Sequence, residues 1–168
     1  MFVVILGIDP GLAIVGYGVI DYKAPNFRTI SFGAITTKAG EPINKRIATV
    51  YDDLRTVIER YHPEAIAIEE LFFNTNITTG IAVAEARGVI LCAACAKGLK
   101  ISEYTPLQVK QAVVGYGKAE KRQVIAMVTS ILKLSAPPKP DDTADAVAIA
   151  ICHSQCRLSA MGKYFNQR

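Results

Sequence analysis

The chain contains no apolar run approaching the roughly 18 residues that a membrane-spanning helix needs, although half of its composition is hydrophobic. Met1–Gly7 lacks the basic start of a secretory leader, so a soluble, cytoplasmic protein is expected, with no membrane partner. No repeat, low-complexity tract or linker interrupts the sequence, and 168 residues suit a single domain over 1–168. Histidine is scarce: His62 precedes Pro63 and His153 adjoins Cys152, and both are too isolated to read as metal ligands. The four cysteines, Cys92 with Cys95 and Cys152 with Cys156, raise a zinc site or a redox pair. Both pairs lie inside apolar runs, GVILCAACAKG and AVAIAICHSQC, which read as buried helix faces where cysteine acts as a small hydrophobe.

Acidic residues are sparse between Ala86 and Pro140. That segment carries Arg87, Lys97, Lys100, Lys110, Lys118, Lys121, Arg122, Lys133 and Lys139 against Glu103 and Glu120. The net charge of +4 is small, but its uneven placement suits a polyanion; the plainer account is a solvated face.

What is present is an alternation of elements. Phe2–Ile8, Ile14–Tyr22 and Arg28–Thr37 are rich in β-branched and aromatic residues and separated by short turns, which favours antiparallel pairing. Ile43, Ile47, Val50, Leu54, Val57, Ile58 and Tyr61 recur at helical spacing between Pro42 and Pro63. This helix leads into the apolar run Ala65–Ile68, the pattern of a parallel pair joined by a right-handed crossover. Helices are then expected over Ile77–Lys97, Pro106–Val114 and Ala119–Leu134, with a short strand at Lys100–Tyr104 and a last helix from near Asp142. The class is α/β with a five-stranded mixed sheet, three antiparallel strands then parallel ones, flanked by helices.

Two of these buried strands stop at carboxylates. Asp9 and Glu69 follow apolar runs, and parallel neighbours would bring both to the same sheet edge, where open α/β folds place their sites. Glu70 competes with Glu69, and periodicity does not choose between them. Asp142 and Asp145, three apart, share a helix face, although helix capping would explain acids there equally well. Carboxylates gathered together repel unless a cation intervenes, and an all-oxygen ligand set suits Mg²⁺ or Mn²⁺.

The sequence resembles the RuvC family, bacterial Holliday junction resolvases of the ribonuclease H-like superfamily. The resemblance rests on GIDPG with GYGV (7–11, 16–19), AIEELF (65–72 with its flank), ARGV (86–89), VKQAVVGYGKAEK (109–121) and DDTADAVAIAI (141–151), in order and over nearly the whole chain. It implies a ribonuclease H-like fold and a homodimer that nicks four-way DNA junctions symmetrically in recombination and repair, using two Mg²⁺ ions per site, with Mn²⁺ as a substitute. It places the catalytic and metal-binding tetrad at Asp9, Glu69, Asp142 and Asp145, and Asp9 between the ions. It also implies DNA contacts at Lys110, Lys121 and Phe72, the last stacking on an unpaired base, and RuvA and RuvB as partners. The basic loop Gly115–Arg122, with Lys118, suits a mobile DNA clamp, and the Ile77–Lys97 helix is expected to contribute a dimer contact. Two rivals remain at this point. An actin-like ATPase would need a hydroxyl soon after Gly11, where Leu12 and Ala13 stand, and a junction-binding module without catalysis would use the carboxylates only to shape the fold.

Overall fold

The structure, a computed structural model, describes residues 3–71 and 77–158. One five-stranded sheet has the order β3-β2-β1-β4-β5. Strands β1 (Val3–Asp9), β2 (Ile14–Lys23) and β3 (Asn26–Thr36) form an antiparallel meander. Strands β4 (Ala65–Glu69) and β5 (Lys100–Tyr104) extend it in parallel beyond β1. The mixed sheet expected from the sequence is therefore present, with crossovers supplied by α1 (Ile43–Tyr61) and α2 (Ile77–Ala96).

Alternation along β1 divides the core. Leu6 and Ile8 face α1 and α2, where they meet Val50, Leu54, Ile58, Ile66, Ile68 and Ile90. Ile5 faces the other way, into a cluster with Val109, Val124, Val128, Val147 and Ile151 from α3 (Pro106–Val114), α4 (Lys121–Ile131) and α5 (Asp141–Leu158). Strands covered on both faces must be apolar throughout, which is why β1 and β4 read as unbroken hydrophobic runs.

Local chemistry sets the helix ends. Thr105 caps α3, its hydroxyl accepting from the Gln108 N–H at 3.2 Å while the Gln108 side-chain oxygen accepts from the Thr105 N–H at 2.7 Å. α4 is shorter at both ends than the expected 119–134. Glu120 stands outside the helix with its N–H donating to the Gln123 side chain at 2.8 Å, and Lys133 adopts a left-handed φ of 52°.

The cysteine expectation needs correction in part. Cys152 is buried, but Cys92 and Cys95 are exposed, because α2 turns only one side to the sheet and leaves Ile81, Glu85, Gly88, Cys92 and Cys95 on the other. Arg87 is half-buried and paired with Glu103 at 2.6 Å, so this member of the basic segment is already neutralised.

Candidate active site

β1 pairs with β4 only as far as Ile8 with Ile68, whereas its antiparallel pairing with β2 continues to Asp9 with Gly16. Asp9 is thus the last residue of a strand held firmly on one side and open on the other. Glu69 ends β4 one position beyond the β1 register and faces the same edge. An apolar strand acts as a stiff mount for the carboxylate at its tip.

The remaining acids reach this edge because α5 lies unusually close to the sheet. A Cβ on Gly7 would collide with the Ala146 carbonyl, on Gly16 with the Asp142 carbonyl, and on Gly18 with the Val147 side chain. Three glycines therefore form a track without side chains on β1 and β2, and α5 meets it with Ala146 and Ala150, both fully buried. Thr143, also fully buried, donates its hydroxyl to the Gly33 carbonyl at 3.2 Å and ties the first turn of α5 to β3. The glycines stand within sequence motifs singled out for their resemblance, but their packing role and that of Thr143 were not foreseen; their small size opposite an alanine-rich helix was the available signal.

This packing brings Asp9, Glu69, Asp142 and Asp145 to one place. Burial, then the charges of Glu69, Asp145 and Asp142, push the Asp9 carboxyl up to about 8 despite the Lys121 ammonium nearby. Burial and Asp145 lift Glu69 to about 6, offset by Lys110 and Lys121. Asp145 is also raised, by burial first, against a hydrogen bond from Lys121. Glu70 is not among the charges that act on Asp9, and its N–H donates to the Tyr104 carbonyl at 2.9 Å. Among the described residues no three side chains already close as an ion cage; the acids converge while Lys121 holds Asp145 at 2.9 Å.

Two clefts include residues of this acidic centre. One, of about 210 Å³, is bounded by Glu69, Pro106, Lys110, Lys121, Asp145 and Ile149. The other, of about 530 Å³, is bounded by Gly11, Leu12, Ala13, Arg46, Val83 and Asp142. Lys110 and Lys121, expected as DNA contacts, therefore stand beside Glu69 and Asp145. Lys118 is exposed in the turn before α4 and lines neither cleft, and Phe72 lies outside the described residues.

Comparison with known proteins agrees with this architecture. The family model described as crossover junction endodeoxyribonuclease RuvC matches residues 5–153. The crossover junction endodeoxyribonuclease RuvC of Clostridioides difficile is 55% identical over 151 residues, 90% of this chain and 89% of the relative. The Thermus thermophilus RuvC solved with a Holliday junction substrate superposes with a TM-score of 0.86 at 38% identity, covering 90% of this chain and 93% of that one. The yeast mitochondrial Holliday junction resolvase Ydc2 shares the fold, with a TM-score of 0.67 at 16% identity over 96% of this chain and 82% of that one. With a matching family model over most of its length and relatives above half identity, the chain belongs to the RuvC family of crossover junction endodeoxyribonucleases.

Proposed function

We propose that the protein resolves four-way DNA junctions as a homodimer, with Asp9, Glu69, Asp142 and Asp145 holding two Mg²⁺ ions at each site. The observation that carries this is the convergence of the four carboxylates from β1, β4 and α5 at one edge of the sheet. The donor set fits: all ligands are oxygens, and the upward displacement of Asp9, Glu69 and Asp145 marks an excess of buried negative charge that a hard divalent cation would relieve. Mn²⁺ meets the same demand. Bound there, such ions would activate water and stabilise the departing 3′ oxygen.

The chain's own groups supply the rest. Asp9, fixed in the β1–β2 ladder, would be the most rigidly held of the ligands. Asp142 and Asp145 are aligned by the first turn of α5, itself pinned by Thr143. Lys110 and Lys121, on the wall beside Glu69, hold the scissile strand by its phosphates, which positions DNA without reading sequence. Lys118 on its exposed turn extends that basic surface, and Phe72 stacks on an unpaired base near the crossover.

The exposed side of α2 supports the dimer. Ile81 there is 54% exposed, and of its neighbours on that side Gly88, Cys92 and Cys95 are small and uncharged while Glu85 alone is charged; a largely apolar exposed helix face is ordinarily covered. RuvA, RuvB and a cytoplasmic setting follow from the family alone, and no helix of the described residues is long and apolar enough to cross a membrane. A junction-binding module without catalysis would have no need for mutually repelling buried acids. Incubating the protein with labelled four-way and linear DNA, with and without Mg²⁺, tests the proposal: paired nicks confined to the junction and to Mg²⁺ are expected, and binding without nicks would refute it.

A further inference from the structure

Arg46 stands apart from Arg28, Arg55, Arg60, Arg87 and Arg122. Arg28, Arg55, Arg87 and Arg122 are paired with Asp21, Glu59, Glu103 and Glu120, and Arg60 lies over the Tyr61 ring. Arg46 has no carboxylate partner among the described residues. Its Nε instead donates to the Thr37 hydroxyl at 2.8 Å. That hydroxyl in turn donates to the Leu12 carbonyl at 2.6 Å, and the Thr37 N–H donates to the Ala13 carbonyl at 3.0 Å. The guanidinium is therefore fastened, through Thr37, to the turn that directly follows Asp9 and Pro10. It is half-buried and lines the 530 Å³ cleft that Asp142 also lines.

A partly desolvated arginine without an anion is costly unless an anion arrives from outside, and a guanidinium held at Nε keeps its two terminal nitrogens for a forked contact. The cleft has the size of a small-ligand site, and its other walls, Leu12, Ala13, Ile14, Ala82 and Val83, are apolar. These walls suit the sugar or base of one nucleotide. The lysine cleft, with Lys110 and Lys121, is bounded by Glu69 and Asp145 and shares no lining residue with the Arg46 cleft.

We propose that Arg46 is a phosphate-binding residue for the strand being cut, holding a backbone phosphate on the Asp142 side of the acidic centre while Lys110 and Lys121 hold the strand on the Glu69 side. The strand then crosses the metal ligands anchored at both ends. This inference rests on the nuclease reading of the site and adds the path of the strand through it.

The test combines protein substitution with single methylphosphonate replacements along the cut strand, each of which removes one phosphate charge. For the wild-type protein, one replacement on the flank of the scissile phosphate away from the lysines is expected to weaken junction binding about 10-fold. In Arg46→Ala the same replacement is expected to weaken binding less than 2-fold, while replacements elsewhere keep their full effect. Arg46→Ala is also expected to make the salt dependence of binding shallower by about one phosphate's worth, ~0.7–0.9 in log–log slope. Arg46→Lys should recover the slope, and Arg60→Ala should leave it unchanged. Should Arg46→Ala fold poorly for want of the Thr37 bond, Arg46→Gln is measured in the same cycle. Methylphosphonate effects that simply add to the Arg46 substitution at every position would overturn the inference, as would an unaltered salt slope. If wild-type protein neither binds nor cuts the junction, the nuclease reading itself fails; normal wild-type cutting with additive cycles removes only Arg46.

Discussion

The Lys121 ammonium lies 2.9 Å from Asp145 Oδ2 and 3.7 Å from Asp141 Oδ2, inside the group of acids assigned to the metal. Burial pulls the lysine down, but the hydrogen bond and charge of Asp145 carry it above its ordinary value, so it stays cationic. The same ammonium moderates the displacement of Asp9, Glu69 and Asp145. Lys121 thus serves as an internal counter-charge in the metal-free protein, and it is placed to turn to the phosphate when divalent ions take over that task.

Lys121→Ala is accordingly expected to slow single-turnover cleavage by ~10²-fold, the scale seen when one group that stabilises developing charge is removed. The Mg²⁺ concentration giving half the maximal rate should stay within a few-fold of wild type or fall, because a competing cation has been removed. Full rescue of the rate by excess Mg²⁺ would show instead that the lysine acts only on metal affinity.

The displaced carboxyls make metal-free stability depend on pH. Asp9 ordinarily releases its proton near 3.8, but in the folded protein it does so only near 8, and Glu69 near 6 rather than 4.5. Between those limits the folded state retains protons that the unfolded chain gives up. The corresponding stability is fully present below about pH 4 and is lost as pH rises toward 8. Thermal unfolding without divalent ions should show wild type weakening across this window, while Asp9→Asn has a flatter profile and gains on the order of a few kcal/mol at pH 8. Saturating Mg²⁺ should abolish that advantage. Equal pH slopes for the two proteins would contradict the assigned environment of Asp9.

Because protons compete for the same oxygens, cleavage should require more Mg²⁺ at pH 6 than at pH 8. The half-saturating concentration is expected to rise by 10-fold or more on that acidification. Titrating the initial nicking rate with Mg²⁺ at the two values checks it, and a requirement independent of pH would place the metal away from Asp9 and Glu69.

The glycine track yields a stability prediction tied to the site. A methyl group at position 16 meets the α5 backbone at Asp142 rather than a side chain that can rotate away, so Gly16→Ala should destabilise by ~1–3 kcal/mol and displace the Asp142–Asp145 turn. At Gly88 a Cβ would meet nothing within 4 Å in the protomer, and Gly88→Ala in the α2 interior, measured in the Cys92→Glu background where the proposed dimer is absent, should be neutral or gain up to ~1 kcal/mol. Chemical denaturation of both variants tests the contrast; equal effects would mean that α5 can recede without cost.

These particulars show how much was legible beforehand. The hydrophobic runs of β1 and β4, each ending in an acid, were readable because strands covered on both faces leave no room for charge until they end. The approach of α5 was not, since close contact depends on what is missing from Gly7, Gly16 and Gly18, and periodicity counts side chains that are present. Cys92 and Cys95 looked buried because they sit inside an apolar run, a pattern that does not distinguish a protomer core from a covered interface. Arg46 escaped notice because Thr37, which orients it, comes from the loop after β3, and no helical or strand period links the two. The choice of Glu69 over Glu70 needed resemblance at the sequence level, whereas in the structure the charges facing Asp9 distinguish them.

The outward side of α2 leads to a test of assembly. Cys92 is exposed in the protomer, so Cys92→Glu should fold normally yet sediment as a monomer where wild type sediments as a dimer. Junction cutting in paired strands should then give way to slow single nicks. A dimer that persists in this variant would place the interface elsewhere.

The most direct test of the metal-site account is to measure junction binding and junction cleavage by Asp9→Asn side by side in Mg²⁺. The account predicts affinity close to wild type with cleavage reduced by several orders of magnitude, because the substitution removes the central metal ligand while keeping its shape and the basic walls. Retained cutting would contradict the assignment of Asp9 to the metal, and loss of binding together with cutting would show that it serves the fold instead.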